Sequence, residues 1–374
     1  LVTDNSLTTA ERAQYKAEAK IFRAMVMFDM VRLWGDFPVI TTVADDITSE
    51  NIDEVYPQYF PKQNTELEAY QQIEKDLLDA VLYAPDNTPG NKTLFSKSVA
   101  RTLLAKIYAE KPLRDYTKVI QYCDEVKADG FDLVDDFSDL FGMNAAGTDA
   151  KMRNTKESIL EAQFTSGAGN WCTWMFGRDL VNWNNNFTWA KWVTPSRDLI
   201  SAFKQEGDEV RFKESIVYYD CNWSNYYPSD NYPFMYKCRS ANSSIIKYRY
   251  ADVWLLKAEA LIMQDTPDLE AAAGIIDEMR DRAKLGALPT SVRSNKNVLL
   301  NALLKERRLE LAFEGQRWFD LVRLDKVEEV MNAVYAKDSG RKAQIYTFDK
   351  NSYRLPIPQS VIDANDKIHQ NPGY

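Results

Sequence analysis

Glu306-Arg307-Arg308-Leu309-Glu310-Leu311, followed by Glu314-Gly315-Gln316-Arg317-Trp318-Phe319-Asp320-Leu321-Val322-Arg323, is the stretch on which the fold turns. Glu306 and Glu310 stand at i and i+4, so they share one helical face. Paired carboxylates across a sugar are what a glycosidase uses. Guanidinium forks also match carboxylates inside a scaffold, and the arginines interleaved with these acids favour that second reading. We therefore expect a charge network that ties helices together. The spacing predicts one long helix starting at Asn295 or Asn297 and running through Leu324, with Trp318 in the core.

Upstream of it, Tyr248–Gln264 reads as a helix with Tyr250, Val253, Trp254, Lys257, Ala258 and Leu261 on one face. Asp268 caps the next helix, which ends near Lys284 and Gly286. At the start of the chain, Thr8 or Thr9 caps a helix whose apolar residues recur at Ala17, Ile21, Ala24, Phe28 and Val31, and Gly35 stops it. Asn64–Leu82 forms a second helix, with Thr65 and Glu68 at capping-box spacing and Leu67, Tyr70, Ile73, Leu77 and Val81 as its buried stripe. Helices over Lys97–Ala109 and Asp115–Ala128 follow. Short helices joined by short turns suggest stacked pairs of the tetratricopeptide kind, although no strict repeat is visible.

Between these helical regions, residues 131–246 lose the helical rhythm. The span from Phe164 to Tyr236 holds 18 of the chain's 46 aromatic residues, including six of nine tryptophans, interleaved with asparagines. Indole faces suit the C–H face of a sugar ring, and amides suit its hydroxyl rim. Trp171, Trp174, Trp183, Asn184, Asn185, Trp189, Trp223 and Tyr226 are accordingly the candidate ligand contacts. Tyr227 sits beside them. Core packing under long loops is the competing reading, and we assign Trp192, Phe203 and Phe212 to it.

Composition removes several function classes. The chain has 374 residues and a net charge of −9, with no basic run suited to a phosphate backbone. Its single histidine, His369, excludes histidine-based triads and HExxH zinc sites. Four cysteines without CxxC spacing are expected to be free thiols, a Cys221–Cys238 bridge being the lesser alternative. There is no Walker loop and no GxGxxG. Asp132, Asp135, Asp136 and Asp139 lack EF-hand spacing and read as solvated surface. We expect no catalytic residues, no metal and no cofactor.

Five elements, in order, carry a resemblance to the SusD/RagB family. They are Glu18-Ala19-Lys20-Ile21-Phe22-Arg23-Ala24 with Leu33-Trp34-Gly35-Asp36-Phe37-Pro38; Tyr248-Arg249-Tyr250-Ala251-Asp252-Val253 with Ala258-Glu259-Ala260; Met279-Arg280-Asp281-Arg282-Ala283; the Glu306–Arg323 stretch; and Leu355-Pro356-Ile357-Pro358 with Gln370-Asn371-Pro372-Gly373-Tyr374. The resemblance implies a mainly α fold: tetratricopeptide-like helix pairs in a SusD-type α-superhelical scaffold with long aromatic-rich loops. It implies a single domain over 1–374, with helical scaffold at 1–130, a loop-rich ligand-binding region at 131–246, and helical scaffold plus an extended tail at 247–374. It also implies a non-enzymatic, lipid-anchored protein at the outer-membrane surface that captures oligosaccharides and passes them to a SusC-like TonB-dependent transporter. A peptide-binding RagB-like importer component and a helical-repeat interaction scaffold are the alternatives. Family members carry a lipoprotein signal and further residues before the first of these helices, so the resemblance implies a chain truncated at its N-terminus.

Overall fold

The computed structural model describes residues 6–165, 193–221, 227–337 and 347–374. Helix α1 (Thr9–Trp34) starts where Thr8 accepts from the Glu11 N–H and Glu11 accepts from the Thr8 N–H, and it stops at Gly35, whose φ is 73°. Helix α2 (Glu66–Tyr83) begins with the same device at Thr65 and Glu68. The two run antiparallel. Lys20 meets Asp79, Arg23 meets Asp76, and Phe28 packs edge-on against Tyr70. Ala17, Ile21, Ala24, Phe28 and Val31 are all buried, as the periodicity requires. Leu67 departs from expectation, with 45% of its surface exposed. Helix α2 buries Ala69, Tyr70, Ile73, Asp76, Leu77 and Ala80, a face whose centre lies about a third of a turn from Leu67 at 3.6 residues per turn.

Helices α3 (Lys97–Ala109) and α4 (Tyr116–Ala128) form the next antiparallel pair, with Arg101 on Glu125 and Asp129 and the Tyr108 and Tyr122 rings stacked. The chain leaves for the middle region through β1 (Ser158–Ala162). There, α5 (Arg197–Glu206) and α6 (Glu209–Ser215) precede the antiparallel hairpin of β2 (Ile216–Tyr219) and β3 (Tyr232–Met235). Strand β4 (Ile245–Arg249) returns to pair antiparallel with β1. Helix α7 (Tyr250–Met263) then packs on α4: the Cys123 thiol donates to the Val253 carbonyl, and Lys257 pairs with Asp124. The α7 helix begins at Tyr250, two residues later than its sequence periodicity suggests. Tyr248 and Arg249 are instead held as strand by β1.

Helices α8 (Leu269–Arg282) and α9 (Lys296–Glu310) complete this half, capped by Asp268 and Asn295. One apolar cluster joins α1–α4 to α7–α9, with Trp254 inside it. The helix expected to run unbroken through Leu324 is two helices. Helix α9 ends at Glu310, the chain turns through Phe313 (φ 66°) and Gly315 (φ 74°), and α10 (Arg317–Arg323) starts in a new direction. That turn brings Glu314 onto Arg249 and Lys237. Helix α11 (Val327–Lys337) follows. The tail is mostly extended, apart from short helical turns at Lys350–Tyr353 and Gln359–Ala364.

The charged stretch is a buried network. Glu310 accepts from Arg249 (2.6 Å), Arg282 (2.5 Å) and Arg211 (3.1 Å). Glu306 is held by the same Arg211, which also grips Asp208. Glu157 closes the ring on Arg249 and Arg282. Beside it, Arg307 bridges Asp252 and Asp320, and Arg323 binds Glu259 and Asp320. Carboxylates committed to guanidinium forks in this way join α7, α8, α9 and α10 to the middle region. Cys123 and Cys221 are buried free thiols, so the Cys221–Cys238 bridge does not form. All four acidic-loop residues pair with lysines, Asp132 and Asp135 with Lys156 and Asp136 and Asp139 with Lys151.

Candidate ligand-binding site

Trp171, Trp174, Trp183, Asn184, Asn185, Trp189, Trp223 and Tyr226 all lie outside the described residues, as does Trp192. What is described is the frame from which the two Trp- and Asn-rich segments leave and to which they return. Residues 193–196 follow the longer segment, and residues 221 and 227 flank the shorter one.

These flanks are fastened to each other. The Tyr227 hydroxyl donates to the Pro195 carbonyl at 2.7 Å. Thr194 and Tyr232 share a hydroxyl hydrogen bond of 2.7 Å. The Tyr227 ring meets Tyr232 edge-on, 5.7 Å between centroids, and the Arg197 guanidinium lies 5.0 Å from the Tyr227 centroid. On the other side, the Cys221 N–H donates to the Ser229 carbonyl. Tyr232 and Phe234 on β3, with Cys221, form a small apolar cluster under Tyr219 and Tyr227. Residues 194–195 and the two flanks of the shorter segment therefore lie together, although they are far apart in sequence.

The supporting layer is rigid for local reasons. Ser196 caps α5 by accepting from the Leu199 N–H, and Gly207, in the left-handed region at φ 69°, ends it. Leu199, Ile200 and Phe203 turn inward against Ile216, Leu309 and Ala312. Phe203 is 1% exposed, and Phe212 packs edge-on against it, so both belong to the core as expected. The opposite face of α5 carries Arg197, Ser201, Lys204 and Gln205.

That face forms one wall of a cleft of about 460 Å³; Tyr218, Tyr227, Pro228 and Asn231 form the other. The size falls within the ~300–1,000 Å³ typical of ligand pockets. Two tyrosine rings, two side-chain amides, a hydroxyl and two cations face one volume. Flat apolar surfaces and bidirectional hydrogen-bonding groups are the complement of a pyranose. Of these residues, sequence reading had singled out only Tyr227. Arg197, Ser201, Lys204 and Gln205 recur at i, i+4, i+7 and i+8, a polar stripe opposite the buried Leu199, Ile200 and Phe203. That stripe was the available signal.

The carboxylates that resemble a catalytic pair have no such access. Glu306 and Glu310 are 2% and 0% exposed. Burial alone would raise the Glu310 carboxyl, but Arg282, Arg249, Arg211 and Lys237 outweigh it and hold the group well below the carboxylate range. Burial prevails at Glu306, which is raised despite Arg211. Among the described residues, no group of three or more His, Cys, Asp or Glu side chains is arranged to hold a metal ion.

Comparison with known proteins agrees with this architecture. A family profile described as "SusD family" matches residues 230–374, and one described as "Starch-binding associating with outer membrane" matches residues 1–109. SusD-like protein P2 of Formosa agariphila is 28% identical, the match covering 96% of this chain and 74% of that protein. Starch-binding protein SusD of Bacteroides thetaiotaomicron is 24% identical, over 98% of this chain and 74% of its own length. The solved structure of a laminarin-binding SusD-like protein superposes with a TM-score of 0.72 at 24% identity, covering 99% of this chain and 81% of that one. With profiles matching at both ends, relatives spanning nearly its full length and the shared helical architecture, the chain belongs to the SusD/RagB family.

Proposed function

We propose that this protein is a non-enzymatic binding protein of the outer-membrane surface. In this reading it is lipid-anchored, captures an oligosaccharide in the cleft between α5 and the β2–β3 hairpin, and delivers it to a SusC-like TonB-dependent transporter. The observation that carries the reading is the cleft lined by Tyr218, Tyr227, Asn231 and Gln205, with Tyr227 fastened to Pro195 at its edge. Starch binding by one relative and laminarin binding by another protein of the same fold support a sugar as the ligand class. Trp171, Trp174, Trp183, Asn184, Asn185, Trp189, Trp223 and Tyr226 would complete the site around the ring faces and hydroxyls. The whole chain from 1 to 374 would act as one domain. Glu306 and Glu310 are sealed by arginines, so this pair is not offered to solvent as acid and base.

The test is calorimetric titration against plant, host and microbial oligosaccharides. Saturable binding of a glycan is expected. Trp183→Ala, Trp189→Ala and Tyr227→Ala should each weaken it by about 1–3 kcal/mol, the scale of one lost aromatic stacking surface. Unchanged affinity in all three variants would place the ligand elsewhere. Silence toward every glycan with binding of mixed peptides would overturn the sugar reading in favour of a RagB-like peptide importer.

A further inference from the structure

The cleft at Tyr218 and Tyr227 has a neighbour. A second groove of about 760 Å³ lies on the far side of α5, between that helix and α11. Arg197, Ser201 and Gln205 line both volumes, so α5 stands between two adjacent depressions. A single sugar would fill one of them. A ligand that uses both is a chain of several residues crossing α5.

The charge of this surface is opposite to that of the molecule. The chain carries −9 overall. The charged residues lining the two depressions are Arg197, Lys204, Lys305, Arg308 and Lys337 against Asp198 and Glu329. Their local pairing leaves positive charge over. Asp198 serves two of the cations, Arg308 at 2.7 Å and Lys337 at 3.5 Å. Lys305 is held by Glu206, which it shares with Arg280, and Glu329 is paired with Lys326. Lys204 is exposed and has no ion-pair partner among the described residues. Behind the groove, burial and then the nearby Arg308 push the Arg317 guanidinium down to about 10, which places further positive charge beneath this wall.

Resting on the oligosaccharide-capture reading, we propose that the ligand is an acidic glycan. Its anionic groups, uronate carboxylates or sulfate esters, would lie on Lys204, Arg308 and Lys337 as the chain crosses α5. The tyrosines supply ring contacts that any sugar can use. The cation surplus supplies the discrimination, because only an acidic glycan adds charge-assisted hydrogen bonds at exposed Lys204 and at Arg308 and Lys337, which share the single carboxylate of Asp198.

The experiment compares three probes of matched length on the wild-type protein: a neutral laminari-oligosaccharide, an oligogalacturonate and a sulfated galactan oligosaccharide. One acidic probe should bind about tenfold or more tightly than the neutral one, as a single charge-assisted bond allows. Its affinity should fall as salt rises from about 0.05 to about 0.5 M, where screening shortens the range of exposed charges. Which acidic arm responds separates carboxylate from sulfate recognition. Lys204→Glu combined with Lys337→Glu should abolish the acidic preference. Lys16→Glu on α1 is the control for net charge and should change nothing. Equal affinity for neutral and acidic probes, or an acidic preference that survives the double variant, overturns this assignment while glycan capture stands. Binding to none of the three, nor to the wider panel, takes down the capture reading and this inference together.

Discussion

Glu310 is fully buried, and three arginines donate to it from different parts of the chain: Arg211, Arg249 and Arg282. Removing its charge leaves those guanidiniums in low dielectric with one partner fewer, a loss of the kind that costs about 3–5 kcal/mol for a broken buried pair. Urea denaturation of Glu310→Gln should show a loss of that order; a loss below about 1 kcal/mol would mean that water enters and screens the cluster. The pH dependence follows from the same geometry. Glu310, Asp252 and Asp320 all titrate below their ordinary range, burial being outweighed in each by neighbouring arginine or lysine. A carboxylate depressed in the folded state contributes stability that is fully present above its unfolded value and lost as pH falls toward the folded one. Thermal melts should therefore lose midpoint steeply below about pH 4.5. Glu310→Gln should start lower and fall less steeply over that window. The alternation of acids and arginines in Glu306–Arg323 announced an ion network, but its partners Arg211, Arg249 and Glu157 lie too far away in sequence to be paired by reading alone.

At the scale of elements, caps were the dependable signals. Thr8, Thr65, Asp115, Asp268 and Asn295 each begin the helix that their side chain and spacing suggest. A cap is a local hydrogen bond, decided within four residues. Breaks that depend on distant partners were not legible. The Glu306–Arg323 periodicity continues smoothly across residues 311–316, yet the chain turns there because Glu314 is drawn to Arg249 and Lys237. Gly315 makes that turn possible at φ 74°, with no atom within 4 Å of where a Cβ would stand. Gly315→Ala should cost about 1–2 kcal/mol from left-handed backbone strain alone. A neutral effect in chemical denaturation would show that the turn between α9 and α10 can relax. Strand β4 illustrates the same point. Tyr248 and Arg249 fit the helical pattern of α7, and only pairing with β1 holds them extended.

Across the whole molecule, the C-terminal tail works as a strap on the start of the scaffold. The Leu355 N–H donates to the Leu33 carbonyl, Asn371 donates to Trp34 and Leu355, and Arg354 pairs with Glu66. Ile357 and Ile368 are buried beneath it, and His369 stays exposed. Removing residues 355–374 should lower stability by about 3–6 kcal/mol from the two isoleucines alone, read as a drop in urea midpoint. An unchanged midpoint would show that the strap follows the fold without supporting it. The proposed ligand surface is also a whole-molecule property. Its cations come from α5, α9 and α11, and its rings from the hairpin, none of which are neighbours in the chain.

Periodicity, caps and the ordered elements from Glu18 to Tyr374 determined the helical class and the family, because these depend on short-range spacing that a sequence displays directly. The tertiary structure decided the rest. It divided the long helix at residues 311–316, turned Leu67 outward, and joined the flanks of two aromatic segments through Tyr227 and Tyr232. It also collected positive charge from three helices onto the surface of an acidic protein. Each of these outcomes depends on contacts between residues tens to hundreds of positions apart, and such contacts exist only once the chain has folded.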